Sequence, residues 1–187
     1  MAISDGLYQI GPAAGRLLIT TGRTGLGARA GHDLTLEPTG WQGSVVVNTA
    51  EPKQSSVQVD VRADTIEVLE GTGGVKPLTD SDRADIKHNI RSKVLYTDQY
   101  PIITFRSTDI AGALDAFTIG GELTIRDTAR HVVVQGSVAD DGRVRAVAMV
   151  KQTEWGIKPY SAFLGALKLA DDVKIEVDAV LSPDPAM

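Results

Sequence analysis

The chain has 187 residues, of which 42% are hydrophobic and 23% charged, with a formal net charge of −5 and no cysteine. A domain near this size buries about 70% of the surface its unfolded chain exposes, enough for a full core without metal or disulfide. The acidic balance argues against nucleic acid or an anionic membrane as a partner through bulk charge, and the missing thiols exclude disulfides, thiolate nucleophiles and cysteine metal sites.

The N-terminus, MAISDGLYQI, has no basic segment and no apolar run of signal-peptide length. No stretch approaches the roughly 20 apolar residues of a membrane span. The expectation is a cytoplasmic protein without stable membrane insertion. RLLITTGR is apolar and β-branched and reads as the first long strand. ARAGHDLTLEP alternates, with Ala30, His32, Leu34 and Leu36 on one face and Arg29, Asp33, Thr35 and Glu37 on the other. After the turn residues PTG comes WQGSVVVNT, then SVQVDVRAD, where Val57, Val59, Val61 and Ala63 oppose Gln58, Asp60 and Arg62.

EGTGGVKPLT reads as a flexible loop that leads into a helix. Thr79 or Asp80 caps it, Asp82 and Asp85 suit the positive end of its dipole, and Ile86, Ile90 and Val94 form one apolar stripe. The helix is expected to end near Leu95, before Tyr100-Pro101 pushes the chain to extended geometry. A narrow stripe needs an apolar surface to lie against. It serves either as a structural cover for an open end of the sheet or as a lid over a cavity. Arg83, Lys87, His88, Arg91 and Lys93 form a basic run that reads either as a solvated face or as contacts for a phosphate or diphosphate head.

Period-2 alternation then resumes. IITFRS is followed by AFTIGGELTIRD, with Phe117, Ile119, Gly121, Leu123 and Ile125 on one face, and by HVVVQGSV and the hairpin signal ADDGR. VRAVAMVKQTEW and VKIEVDAVL complete the count at eight or more strands, mostly joined by short turns, as in an antiparallel sandwich or barrel. The whole chain, 1–187, reads as one domain with a core of about 7–181. The tail SPDPAM is expected to stay out of the sheet, because its prolines offer a ladder no donor.

The alternating faces yield a list of inward residues: Leu34, Leu36, Val59, Val61, Phe105, Leu123, Ile125, Val144, Ala146, Ala148, Val150, Ile175 and Val177. Ala146, Ala148 and Gly121 are small, which leaves room for a ligand unless the core packs to crystal-like density. EWGIKPYSAFLGAL gathers Trp155, Tyr160, Phe163 and Leu164 at one end, either as a plug or as an entrance that clamps a ligand. His32 is either a satisfied core histidine or a head-group contact at the mouth. His88 and His131 read as surface residues, and the three histidines have no metal-ligand spacing. There is no nucleophile elbow, phosphate loop or dinucleotide fingerprint. The paired carboxylates Asp140-Asp141 and Asp171-Asp172 read as turn residues.

The order of three motifs resembles the YceI-like, lipocalin-like family, also called polyisoprenoid-binding proteins. The helix and its exit, DRADIKHNIRSKVLYTDQYPIITFRS, match that family's helix, Tyr-Pro and strand pattern; GGELTIRDTARHVVVQGSV and the late EWGI follow in the family's order. The resemblance covers roughly residues 7–181. It implies an all-β, extended eight-stranded antiparallel barrel with one amphipathic helix in a long connection. It further implies an elongated apolar cavity for an isoprenoid or fatty-acyl ligand, no cofactor, and often a homodimer. The expected ligand contacts are His32, Leu34, Leu36, Val59, Phe105, Leu123, Ile125, Ala146, Ala148, Trp155, Tyr160 and Phe163, with no catalytic or metal residue. The leading expectation is a non-enzymatic lipid carrier or sequestering protein. Two rivals stand beside it: a packed-barrel homodimer acting as an interaction protein, and a small barrel enzyme using His32 and Tyr160 on a hydrophobic substrate.

Overall fold

The computed structural model describes residues 3–162 and 167–184. The strands are β1 (Gly6–Ile10), β2 (Gly15–Thr24), β3 (Asp33–Pro38), β4 (Trp41–Val47), β5 (Ser56–Arg62) and β6 (Ile66–Thr72), followed by helix α1 (Asp80–Asn89). Then come β7 (Ile102–Ala113), β8 (Ala116–Ile125), β9 (Thr128–Val138), β10 (Arg143–Lys151), β11 (Ser161–Ala162), β12 (Leu167–Val180) and β13 (Ser182–Pro183). All pairings are antiparallel, and twelve strands form one order, β13-β1-β4-β5-β7-β8-β9-β10-β12-β2-β3-β6, with β11 beside β12.

The expected eight strands are therefore corrected to a larger number. The reason is local: the alternating run from Ser56 to Thr72 bends and becomes two strands, and short strands add at Gly6–Ile10, Ser161–Ala162 and Ser182–Pro183. β3 and β4 break at Thr39–Gly40, and β5 and β6 break opposite them at Ala63–Thr65. Thr65 stitches the two bends together, its backbone carbonyl accepting from Thr39 N–H at 3.1 Å and its hydroxyl from Gly40 N–H at 2.9 Å. β1 and β2 are likewise one run broken at 11–14. Because β1 pairs with β4 while β2 pairs with β3 and β12, the sheet curls back on runs it already contains.

The tail also departs from expectation. Ser182 and Pro183 pair with Gln9 and Tyr8 of β1, and Asp184 N–H donates to Leu7 O at 3.0 Å. Proline's missing donor is no obstacle at an outer strand, where its neighbours carry the ladder.

β6 has one paired side, against β3. Its other side faces α1. The helix starts with a reciprocal capping box: Thr79 Oγ1 accepts from Asp82 N–H at 3.1 Å, and Thr79 N–H donates to Asp82 Oδ2 at 2.9 Å. The Thr79 N–H first, and second the Thr79 hydroxyl, which donates to Asp82 Oδ2 at 2.8 Å, hold the Asp82 carboxyl below the ordinary carboxylate range. A depressed folded value contributes stability above the unfolded value of about 3.9, lost as pH falls through the lower folded one. Thr79→Ala is expected to weaken the helix by about 1 kcal/mol. Hydrogen exchange should report it as faster exchange in the amides of 80–94 with the sheet's protection unchanged.

The basic run is neither freely solvated nor open to a phosphate along its length. Arg83 Nη1 donates to the β6 carbonyls of Val68 and Leu69 at 3.1 and 2.8 Å. Lys87 pairs with Glu67, and Arg91 donates to Asp64 O. These three side chains fasten the helix to β6, while His88 and Lys93 remain exposed. The helical run then widens into a π turn over Ile90–Val94, with Leu95 N–H donating to Ile90 O at 2.8 Å. The extra residue per turn delivers Leu95 into the core. No helix among the described residues is long and apolar enough to cross a membrane.

Candidate functional site: an apolar lumen

Two apolar clusters occupy the curl. One contains Leu34, Leu36, Ile66, Leu95, Leu123, Val150 and Trp155, with the helix stripe Ile86, Ile90 and Val94 packed against it; the other contains Tyr8, Ile10, Leu17, Trp41, Val61 and Leu181. A cavity of about 670 Å³ borders both. It extends from Arg23, Gly31 and His32 at the end where β3 begins to Asn48 and Ser55 between β4 and β5. Ligand sites of this kind run from roughly 300 to 1,000 Å³.

Strand alternation placed the wall correctly. Every residue on the inward list, from Leu34 on β3 to Val177 on β12, lines the cavity. Of the expected ligand contacts, Leu34, Leu36, Val59, Phe105, Leu123, Ile125, Ala146 and Ala148 stand on that wall. His32 sits just before β3 at the rim, half-buried, with Nε2 2.7 Å from Lys76 O. This bond ties the β2–β3 connection to the loop before α1. Tyr160 borders the cavity and is 46% exposed, so it belongs to the rim. Phe163 and Leu164 lie outside the described residues.

Trp155 is only 2% exposed, and its Nε1–H donates to Leu123 O at 2.9 Å. Together with Ile157, 4% exposed, it lines the cavity as a packed part of the wall and does not stand open at the entrance. Asp171 positions it. That carboxylate lies in the irregular part of β12, not in a turn as expected, and accepts from Thr153 Oγ1 at 2.6 Å and Thr153 N–H at 2.9 Å. Both bonds, hydroxyl first, lower its pKa. The short 3₁₀ turn Gln152–Trp155 then ends at Gly156, whose φ of 68° a side chain would strain.

One source of expected space is filled. A Cβ at Gly121 would fall within the ring of Phe105, which lies across it. The opening therefore comes from the small side chains of β10, Ala146 and Ala148, and from the aliphatic wall.

Sequence reading missed β2 as a wall element, and it left the helix open between a structural cover and a lid over the cavity. Leu17, Ile19 and Thr21 line the cavity in alternation, as do Ile86, Ile90 and Val94. The period-2 pattern of RLLITTGR could have revealed the first set. Two consecutive threonines there blur which face is apolar.

A curled antiparallel sheet with one helix around an apolar lumen defines a lipocalin-like protein. The YceI-like domain model matches residues 8–181, and the chain belongs to that family. Among solved structures, Burkholderia cenocepacia BcnA is similar over 91% of this chain and 98% of its own, at 19% identity and a TM-score of 0.69. A polyisoprenoid-binding domain from Saccharophagus degradans, implicated in plant cell wall breakdown, matches over 97% and 100% at 8% identity and a TM-score of 0.59. The Campylobacter jejuni YCEI protein matches over 80% and 84% at 11% identity and a TM-score of 0.58. No curated protein matches this chain.

Proposed function

We propose that this protein binds the apolar chain of an isoprenoid or another long-chain amphiphile in its lumen, and carries or sequesters it without chemical change. The observation that carries the reading is the cavity of about 670 Å³ with a predominantly apolar wall. The fold shared with a polyisoprenoid-binding domain supports it. Each buried methylene contributes about 0.8 kcal/mol, so a dozen carbons reach about 10 kcal/mol before ordering costs remove a large part. Apolar contacts are non-directional, so affinity should rise with chain length until the lumen is full. The enzyme reading has less support, since His32 Nε2 is engaged by a backbone carbonyl and Tyr160 stands half in solvent.

Association of two copies has one supporting feature. Val133, Val147 and Met149 are exposed on the outer face of the adjacent strands β9 and β10. Native mass spectrometry with organic extraction tests both points. A stoichiometric apolar adduct is expected, on a dimer mass if the outer face pairs. A clean unliganded mass, with no uptake of added isoprenoid, would sink the carrier reading.

A further inference from the structure

Most of the polar groups that border the lumen are engaged elsewhere. Arg23 donates to Gly31 O and faces Asp33 at 3.4 Å. His32 is held by Lys76 O, and Gln152 Nε2 donates to Ala170 O at 2.8 Å. Thr21 is buried and unpaired. It lines the cavity and is 7% exposed, and its Oγ1 is buried with no hydrogen-bond partner among the described residues. The other such atom, Nε of Arg91, belongs to a residue outside the lumen wall.

A buried hydroxyl without a partner destabilises a protein, whereas valine would fill the same space without that cost. Thr21 lies two residues in from Arg23 on β2, between Leu34 of β3 and Val173 of β12, where the β12 register slips. Threonine's staggered χ1 wells exchange its hydroxyl and methyl positions, so a rotamer change redirects the donor without moving the strand. A hydroxyl is uncharged and both donates and accepts. It matches a neutral oxygen. A buried phosphate would need an available cation, and the cationic group bordering this end of the lumen, Arg23, is already paired with Asp33.

We propose that Thr21 determines specificity in the lumen by holding a neutral oxygen, as hydroxyl, carbonyl or ether, carried by the apolar ligand just below the mouth. This rests on the lumen being a ligand site, as proposed above. It makes the cargo a neutral oxygenated amphiphile and leaves any phosphorylated head outside.

The test uses the full chain and displacement of a fluorescent apolar dye by three probes that share one isoprenoid skeleton: farnesene, farnesol and farnesyl diphosphate. Wild type should prefer farnesol over farnesene by about fivefold, the worth of one net hydrogen bond. Thr21→Val should erase that preference, with farnesene bound at least as tightly as by wild type, and Thr21→Ser should retain it. Unliganded Thr21→Val should melt at or above the wild-type temperature, which separates lost binding from lost folding. An undiminished farnesol preference in Thr21→Val would overturn the anchor and leave the carrier reading standing. So would tighter binding of the diphosphate than of farnesol. Failure of wild type to take up any of the three would overturn the lumen reading, and the anchor with it.

Discussion

Ala146→Phe is expected to weaken uptake of a long apolar chain by roughly a hundredfold while leaving the protein folded. Ala146 lines the cavity from β10, in register with Gly136 on one side and Val177 on the other. A benzyl group there enters the lumen beside the Phe117 ring that lies over Gly136, so an overpacking cost within the usual range of about 1–3 kcal/mol is expected. The ring takes volume that a ligand would otherwise occupy. Excluding about four methylenes removes about 3 kcal/mol of burial, which corresponds to about two orders of magnitude in affinity. Dye titration measures the loss, and circular dichroism checks the fold. Unchanged affinity would mean that ligand lies elsewhere, since a chain in the lumen has to pass this wall.

The largest effect on stability is expected from Trp155→Ala, at about 3–5 kcal/mol. The indole is nearly inaccessible, touches the cluster that includes Leu123, Val150 and Ile157, and satisfies the Leu123 carbonyl. Its removal leaves a void beside a cavity that already exists, so the neighbouring side chains have little to collapse onto. Trp155→Phe separates the contributions: it keeps most of the apolar volume and loses the hydrogen bond, for about 1–3 kcal/mol. Denaturant midpoints of the three proteins should fall in the order wild type, Phe, Ala. If Ala matched wild type, Trp155 would be a rim residue and not the packed part of the wall described here.

Much of this molecule was legible in its sequence because period-2 patterning is a direct record of which face is apolar. The wall residues on β3, β5, β7, β8, β10 and β12 could be named without coordinates. What patterning does not record is where a long run bends. Ala63–Thr65 carries no break strong enough to divide a strand on paper, yet hydrogen bonds from Thr39 and Gly40 to Thr65 hold a bend there and turn one run into two strands. Nor does patterning show what fills a glycine's space, as Phe105 does beside Gly121. The helix was read as a stripe plus a basic row. The stripe's destination followed from its apolarity, but the row's did not, since charge alone does not distinguish solvent from a strand's carbonyls. Thr21 was invisible for a related reason: a threonine on a strand is ordinary until its hydroxyl proves to have no partner.

The fastening of α1 to β6 also governs how these molecules behave toward one another. A strand with one unpaired side is a template on which another chain can add a strand. Here Arg83 occupies two carbonyls of that side, and Arg91 the carbonyl of Asp64 beyond its start. The helix thus works as a permanent stopper against strand addition, quite apart from any ligand. A ligand that entered past His32 and Tyr160 would leave the stopper in place. Entry by lifting the helix would bare a greasy lumen and an adhesive edge at the same moment, and in a concentrated solution that opening would lead toward aggregates. The arginine row makes the rim the safer door.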